Sequence, residues 1–236
     1  MTVFQYHADV LERYPTIRGG IILAKNLHNG ITPSDLATSY QAEQEAVKTR
    51  IGETPLAEVE TLAAWRRAFS AFGVKPTQYR SAAEALLRRL TKKGDIPNLN
   101  LLVDMGNLVS IRYGMPVAFM DRRDVQGAIT VCFAEGHENF TDLGASEIVH
   151  PEPGEVIFVD EADTIFARRW CWRQSAQSAS REDTNEVLIT IEGLHDNAEN
   201  DVQSAMDDVE KLFAQFQPEA TLQMALLSPA RPAFGL

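Results

Sequence analysis

Cysteine and long apolar runs are both scarce in this sequence. Its 236 residues include two cysteines, Cys132 and Cys171, and neither has a second ligand at the spacing of a zinc site. No stretch approaches the roughly 18 consecutive apolar residues of a membrane helix, and the first residues lack the pattern of a secretion signal. The sequence therefore predicts a reduced, cytoplasmic protein without a disulfide framework, a metal site or a membrane segment.

The motifs of several large enzyme classes are also absent. The sequence has no Gly-rich phosphate loop, no Gly-x-Ser-x-Gly elbow, no His-Glu-x-x-His pair and no dinucleotide fingerprint. These absences argue against kinases, serine hydrolases, zinc proteases and dehydrogenases, and we expect neither a cofactor nor a nucleotide partner. The histidines are isolated from one another, which is more typical of surface or core residues than of catalysts: His7, His28, His137, His150 and His195.

Basic residues are outnumbered by acids, 22 to 33, but they are concentrated in one segment. Residues 65–93 contain eight basic residues and a single acid, Glu84. A basic patch on an acidic protein predicts that a polyanion binds there and is repelled elsewhere. Solvated helix faces and cations at helix C-termini explain the same pattern equally well. The residues predicted to contact nucleic acid are Arg80, Arg88, Arg89, Lys92 and Lys93.

Two successive helices are predicted near the middle of the chain. Ser81 and Glu84 form a capping box, so a helix should begin there, and Gly94 should end it after a cationic last turn. A second helix is predicted over residues 100–112. Apolar residues occupy most of its circumference, which indicates a buried helix.

A polar stripe interrupts the second helix. Asn100, Asp104 and Asn107 recur at positions i, i+4 and i+7, so they share one face. A buried polar group without a partner costs roughly 1–3 kcal/mol, so these side chains need hydrogen-bonding partners. Neighbouring loops could provide the partners, or the stripe could line a ligand pocket.

The rest of the chain predicts short strands and a few helices. Helices are expected near residues 8–14, 32–50, 57–72 and 202–216, and strands at 3–6, 17–27, 116–120, 128–133, 155–159, 164–167 and 187–191. The second strand should bend at Gly19-Gly20, the last strand should present Glu192 at its end, and residues 229–232 should form a loosely ordered tail. This pattern predicts a mixed α/β (α+β) fold with a β-sandwich flanked by helices, in a single domain over residues 1–236.

The run Asn98-Leu99-Asn100-Leu101-Leu102-Val103-Asp104-Met105-Gly106-Asn107, followed by Gly114-Met115-Pro116 and Asp121, carries a family resemblance. It resembles the B-three/B-four tRNA-editing domain of the phenylalanyl-tRNA synthetase beta subunit and its stand-alone relatives. Weaker similarity extends over residues 65–193. The resemblance implies a β-sandwich of unusual topology, with residues 1–64 as an extension packed on it and residues 194–236 as a terminal helix and tail.

The resemblance also implies a site and an activity. Asn107 and Glu192 are the implied catalytic residues, and the substrate-binding residues are Asn98, Asn100, Asp104, Arg173, Gln174 and Ser175. Two positions depart from the family, since Gly106 replaces a threonine and Ala118 replaces a histidine. A mechanism that depends on that imidazole is excluded.

The implied activity is hydrolysis of the ester of mischarged tRNA by a protein without an attached synthetase. Its partner would be the tRNA acceptor end or an aminoacyl ester. An alternative is a non-catalytic module that binds tRNA or an amino acid, which the histidine-to-alanine departure at Ala118 favours. A small-molecule enzyme on the same fold is a further alternative, because a fold does not determine an activity.

Overall fold

The computed structural model describes residues 1–236 and contains six α-helices and twelve β-strands. The helices are α1 (Ala8–Arg13), α2 (Ser34–Ile51), α3 (Glu60–Ala71), α4 (Ala82–Lys93), α5 (Leu101–Tyr113) and α6 (Ala198–Phe216). The strands are β1 (Thr2–Tyr6), β2 (Arg18–Lys25), β3 (Val117–Asp121), β4 (Ile129–Phe133), β5 (Phe140–Thr141), β6 (Ile148–Val149), β7 (Val156–Val159), β8 (Ile165–Arg168), β9 (Arg173–Gln174), β10 (Glu186–Gly193), β11 (Thr221–Leu227) and β12 (Ala233–Gly235).

Most of the strands belong to two sheets. The six-stranded sheet has the order β12-β1-β4-β7-β8-β9, and the four-stranded sheet has the order β11-β2-β10-β3. Neighbouring strands are antiparallel except β1 and β4, which are parallel. Strands β5 and β6 form a separate hairpin. Because β1 and β2 are interior strands of different sheets, residues 1–64 are part of both sheets and not an extension packed on them.

The four-stranded sheet is the middle layer of the molecule. On β2, Ile21 and Leu23 face a core shared with the six-stranded sheet, whereas Ile22 and Ala24 face a core shared with helices. Strand β10 shows the same alternation, since successive side chains of a strand point to opposite faces. The predicted α+β class and the β-sandwich flanked by helices are therefore confirmed.

Helices α5 and α6 pack on the outer face of the four-stranded sheet, and α2 and α4 pack on α5 in the same core. The Ser81 hydroxyl accepts a hydrogen bond from the Glu84 backbone N–H at 3.2 Å, and Gly94 ends α4 with a φ of 89°. The predicted start and stop of this helix are thus confirmed, but the Glu84 side chain pairs with Arg66 at 2.7 Å and does not complete the capping box. None of the helices combines the length and the hydrophobicity that crossing a lipid bilayer requires.

Two local predictions were wrong. Strand β2 runs straight through Gly19-Gly20, where glycine admits close neighbours: a Cβ on Gly20 would lie 2.7 Å from the Met206 side chain of α6. The C-terminal segment is not a loose tail, because β11 pairs with β2 and β12 pairs with β1. By contrast, Glu192 is the second-to-last residue of β10 and so lies at the end of that strand, as predicted.

Candidate functional site

A cavity of about 80 Å³ opens between the two sheets of the sandwich. The inward-facing residues of β3 and β10 form one wall, and residues of β7, β8 and the segment 170–174 form the other. The residues of the first wall are Ala118, Met120, Thr190 and Glu192, and those of the second include Phe158, Ala167, Trp170, Cys171, Trp172, Arg173 and Gln174. A cavity of this volume accommodates several water molecules or a small ligand group.

Glu192 is the carboxylate of this cavity, and its side chain is 1% exposed. The Tyr6 hydroxyl donates to its Oε1 atom at 2.7 Å, and the Trp170 indole N–H donates to the same atom at 3.1 Å. No protein group donates to Oε2, which leaves that oxygen free for a ligand or water. Burial raises the pKa of Glu192 to about 7, and the two hydrogen bonds oppose that shift.

Glycine at position 19 makes room for this arrangement. Gly19 lies opposite Glu192 in the β2–β10 pair, and a Cβ there would be 2.3 Å from the Tyr6 hydroxyl oxygen. Any larger residue would therefore displace the phenol that binds Glu192. Sequence reasoning missed both Tyr6 and Gly19, because a residue separated from Glu192 by 186 positions leaves no local signal.

The segment that closes the cavity begins with two residues in the left-handed region. Arg169 and Trp170 have φ values of 45° and 59°, which bulky residues rarely adopt. The backbone N–H of Arg169 donates to the buried Glu155 carboxylate at 2.9 Å, and that carboxylate also binds Arg168 through two hydrogen bonds. These contacts hold the turn that directs the Trp170 side chain inward, to Glu192.

Two of the predicted substrate-binding residues line the cavity. Arg173 is exposed and forms an ion pair with Asp142 at 2.6 Å, and the Gln174 amide donates to the Phe119 carbonyl at 3.2 Å. Cys171 also faces the cavity, and burial raises the pKa of its thiol well above the usual value. The thiol is therefore protonated at neutral pH and is a poor nucleophile.

A basic groove of about 440 Å³ adjoins the cavity. The residues lining it include all the residues predicted to contact nucleic acid, together with two that also line the cavity, Trp172 and Arg173. They are Arg80, Arg88, Arg89, Lys92 and Lys93. Within this set, Arg80 lies 3.4 Å from Glu84 and Arg89 lies 3.9 Å from Asp95, whereas the other three side chains form no ion pair. The groove therefore keeps cationic groups free to bind an anion.

Asn107 does not lie in the Glu192 cavity. It lines a separate cavity of about 220 Å³ beside Leu99 and Phe119. Val117 and Gln174 line both cavities and form the partition between them. The structure therefore brings Glu192, Arg173 and Gln174 together and places Asn107 behind the partition.

The other predicted site residues lie outside the Glu192 cavity. The Asp104 carboxylate is fully buried and accepts hydrogen bonds from the Thr32 hydroxyl at 2.5 Å, the Asn98 amide at 2.8 Å and the Leu99 backbone N–H at 3.0 Å. Asn100 caps α5 by accepting from the Val103 N–H. Asp104 is therefore hydrogen-bonded to neighbouring loops, and Asn100 is hydrogen-bonded to the first turn of its own helix.

Ser175 is likewise an internal residue. Its side chain is fully buried and hydrogen-bonds with Ser178. No group of three or more histidine, cysteine, aspartate or glutamate side chains is arranged to hold a metal ion.

A family model described as the B3/4 domain matches residues 64–223, which is more than half of the chain. The match begins where the sequence resemblance begins and extends through α6 into β11. No curated protein matches the chain significantly. The structure is similar to the crystal structure of an N-terminal fragment of the phenylalanyl-tRNA synthetase beta-subunit from Pyrococcus horikoshii, with 11% sequence identity and a TM-score of 0.47. The alignment covers 95% of this chain and 53% of that one, so this chain spans about half of that fragment.

Proposed function

This chain belongs to the B3/4 domain family, and from that premise we propose that it binds the acceptor end of tRNA and hydrolyses the ester of a wrongly attached amino acid. The protein would act without an attached synthetase. The proposal combines the family membership, the sequence resemblance to the editing domain and the geometry of one continuous site.

The observation that carries the proposal is the continuity of the basic groove with the Glu192 cavity. Trp172 and Arg173 line both spaces, so a chain of phosphates in the groove would bring its end to the cavity mouth. The net charge of −11 would repel a polyanion from the rest of the surface. The groove thus supplies a local binding surface for an otherwise acidic protein.

Glu192 has the chemistry that ester hydrolysis needs. Its pKa of about 7 leaves a substantial ionised fraction at neutral pH, and its free oxygen faces the cavity. In the proposed reaction, Oε2 takes a proton from a water molecule as the water oxygen attacks the ester carbonyl carbon. The carboxyl then returns that proton to the leaving ribose oxygen, which yields a free amino acid and an uncharged tRNA.

Arg173 and Gln174 are the proposed binding residues at the cavity mouth. In the proposed reaction their N–H groups would stabilise the oxyanion that forms on the carbonyl oxygen. Asn107 would bind a part of the substrate that passes the Gln174 partition into the neighbouring cavity. Asn98, Asn100, Asp104 and Ser175 would support the site indirectly, because their hydrogen bonds fix the loops around it.

A non-catalytic binding module is the second candidate. Ala118 lines the cavity where the family resemblance implies a histidine, so the wall opposite Trp170 has no imidazole. A protein of this kind would hold the charged tRNA end or a free amino acid without turnover.

Deacylation of a panel of mischarged tRNAs tests the proposal. We expect ester hydrolysis by the wild type, a loss of about 100-fold or more in Glu192→Gln, and a smaller loss in Asn107→Ala. Glu219→Gln is a matched control, because Glu219 is an exposed carboxylate outside the cavity. Full activity in an Asn107→Ala, Glu192→Ala double variant would refute this site, and tRNA binding without hydrolysis would favour the binding module.

A further inference from the structure

Four side chains stack at the junction of the basic groove and the cavity. The Arg169 guanidinium lies 4.0 Å from the centre of the Tyr79 ring and 4.6 Å from that of the Trp172 ring. The Arg173 guanidinium also lies 4.6 Å from the centre of the Trp172 ring. Tyr79 and Trp172 meet edge to face, with ring centres 5.1 Å apart. The result is a continuous cation–π stack that ends at the exposed Arg173.

Hydrophobic packing alone does not account for Trp172. The other tryptophans, Trp65 and Trp170, are 1% and 0% exposed, whereas Trp172 is only partly buried. It is also one of only two residues that line both the groove and the cavity. A large aromatic residue kept at such a junction is available to a ligand that occupies both spaces.

The backbone holds this stack in place before any ligand arrives. Arg169 and Trp170 are both left-handed, and the Trp172 N–H closes the turn by donating to the Arg169 carbonyl at 3.2 Å. Strained backbone of this kind persists only where surrounding contacts impose it, and it concentrates at functional sites. Here it places Trp170 against Glu192 and Trp172 at the surface two residues later.

We propose that Trp172 and Arg173 form a seat for an unpaired nucleobase at the end of a single-stranded polynucleotide. Aromatic rings and guanidinium planes both stack on bases, and every base offers a π-face to them. Phosphates in the groove would be held by Arg88, Lys92 and Lys93, and the terminal ribose would reach the cavity. This inference rests on the proposed function and adds the residues that recognise the last nucleotide.

Two short probes test the seat: a 5′-phosphorylated CCA trinucleotide and the same molecule with an abasic sugar at its 3′ end. Binding is followed by isothermal titration calorimetry, which needs no tryptophan reporter, so the same measurement serves the wild type and the Trp172 variants. We expect the abasic probe to bind about tenfold more weakly, the loss that one stacked base predicts. Equal affinities for the two probes, or no binding of either at low salt, would overturn the proposal.

Variants locate the effect at Trp172. Trp172→Ala should bind the two probes equally, and Trp172→Phe should keep most of the discrimination because it retains a ring. Discrimination that survives in folded Trp172→Ala would also overturn the proposal. If Trp172→Ala does not fold, the wild-type comparison of the two probes still decides.

The seat and the hydrolytic function can fail separately. Discrimination between the probes without deacylation of mischarged tRNA would support the seat and refute the hydrolysis. Deacylation without discrimination would refute the seat and leave the proposed function intact.

Discussion

Glu192 illustrates how single residues determine the properties of this site. Its carboxyl is buried on a strand, yet one of its hydrogen-bond donors comes from β1 of the opposite sheet and the other from the segment after β8. Tyr6 and Trp170 reach the same oxygen and leave the other free. The resulting pKa, near neutrality, follows from burial that these two hydrogen bonds offset only in part.

The raised pKa of Glu192 predicts a pH dependence of stability. The folded protein keeps the proton up to about pH 7, whereas the unfolded chain releases it near the ordinary value of 4.5, so folding stability falls as pH rises between these values. Glu192→Gln removes this loss. Relative to wild type, the free energy of unfolding of the variant should rise by roughly 3 kcal/mol between pH 4.5 and pH 8. Urea unfolding of both proteins at pH 4.5 and pH 8 measures this difference in free energy. The same difference at both pH values would contradict the raised pKa of Glu192.

Gly19 carries the second prediction at this scale. Gly19→Ala should destabilise the protein by about 1–3 kcal/mol, because the added Cβ overlaps the Tyr6 hydroxyl. Displacing that hydroxyl also removes a hydrogen bond that lowers the pKa of Glu192, so the acid limb of any pH–rate profile should move upward. Gly30→Ala is the control, since a Cβ at Gly30 meets no atom within 4 Å. Equal thermal stability of the two variants would contradict the packing argument.

At the scale of elements, the polar face of α5 depends both on the spacing of its residues and on the loops that pack against it. The polar stripe predicted from spacing is real, but Asn100 and Asp104 use their hydrogen bonds on the helix cap and adjacent loops. Of the three, only Asn107 lines a cavity. Spacing identified the face of the helix, and the loops that pack on it decided which residue remained available.

Asp104 is therefore predicted to be structural. Asp104→Ala leaves the Thr32 hydroxyl, the Asn98 amide and the Leu99 N–H without their acceptor, which should cost roughly 3 kcal/mol in the free energy of unfolding. Asp95→Ala is the control, because Asp95 is exposed and its one ion pair is 3.9 Å long. Chemical denaturation of both variants measures the contrast, and a small effect at Asp104 would refute its structural role.

Helix α4 carries the prediction for the basic groove. Replacing Arg88, Lys92 or Lys93 with alanine should weaken tRNA binding and reduce the slope of log affinity against log salt by about 0.7–0.9 for each lost phosphate contact. Lys211→Ala is the matched control, since Lys211 is an exposed cation on α6 outside the groove. A similar loss in that variant would show that net charge, and not the groove, governs binding.

At the scale of the whole molecule, the layers of the fold could be predicted from the sequence better than the contacts between residues distant in the chain. Alternating apolar residues and helix caps are local, so the sandwich class and the ends of α4 could be predicted. Strand β11 was missed because Thr221–Leu227 has few β-branched residues and is stabilised by pairing with a strand almost 200 positions away. The contact between Tyr6 and Glu192 is non-local in the same way, and no spacing rule could predict it.

The two sheets together enclose the Glu192 cavity, which gives a prediction at this scale. Residues on β3 and β10 supply one wall of the cavity, and β1 and the segment after β8 supply the opposing donors. Enlarging the gap with Phe158→Ala, a fully buried residue between the sheets, should cost about 3–5 kcal/mol of stability. It should also raise KM or lower kcat in deacylation. Leu222→Ala, on the opposite face of the middle sheet, should destabilise with a smaller effect on turnover.

The carboxyl of Glu192 and its two donors come from opposite halves of the sandwich, so the site exists only while those halves are in register. The rate of the proposed hydrolysis would then report how closely the two sheets are packed together. Mild denaturant or heat that loosens the contact between the sheets should abolish the proposed hydrolysis while most helices and paired strands persist, so that activity is the first property lost.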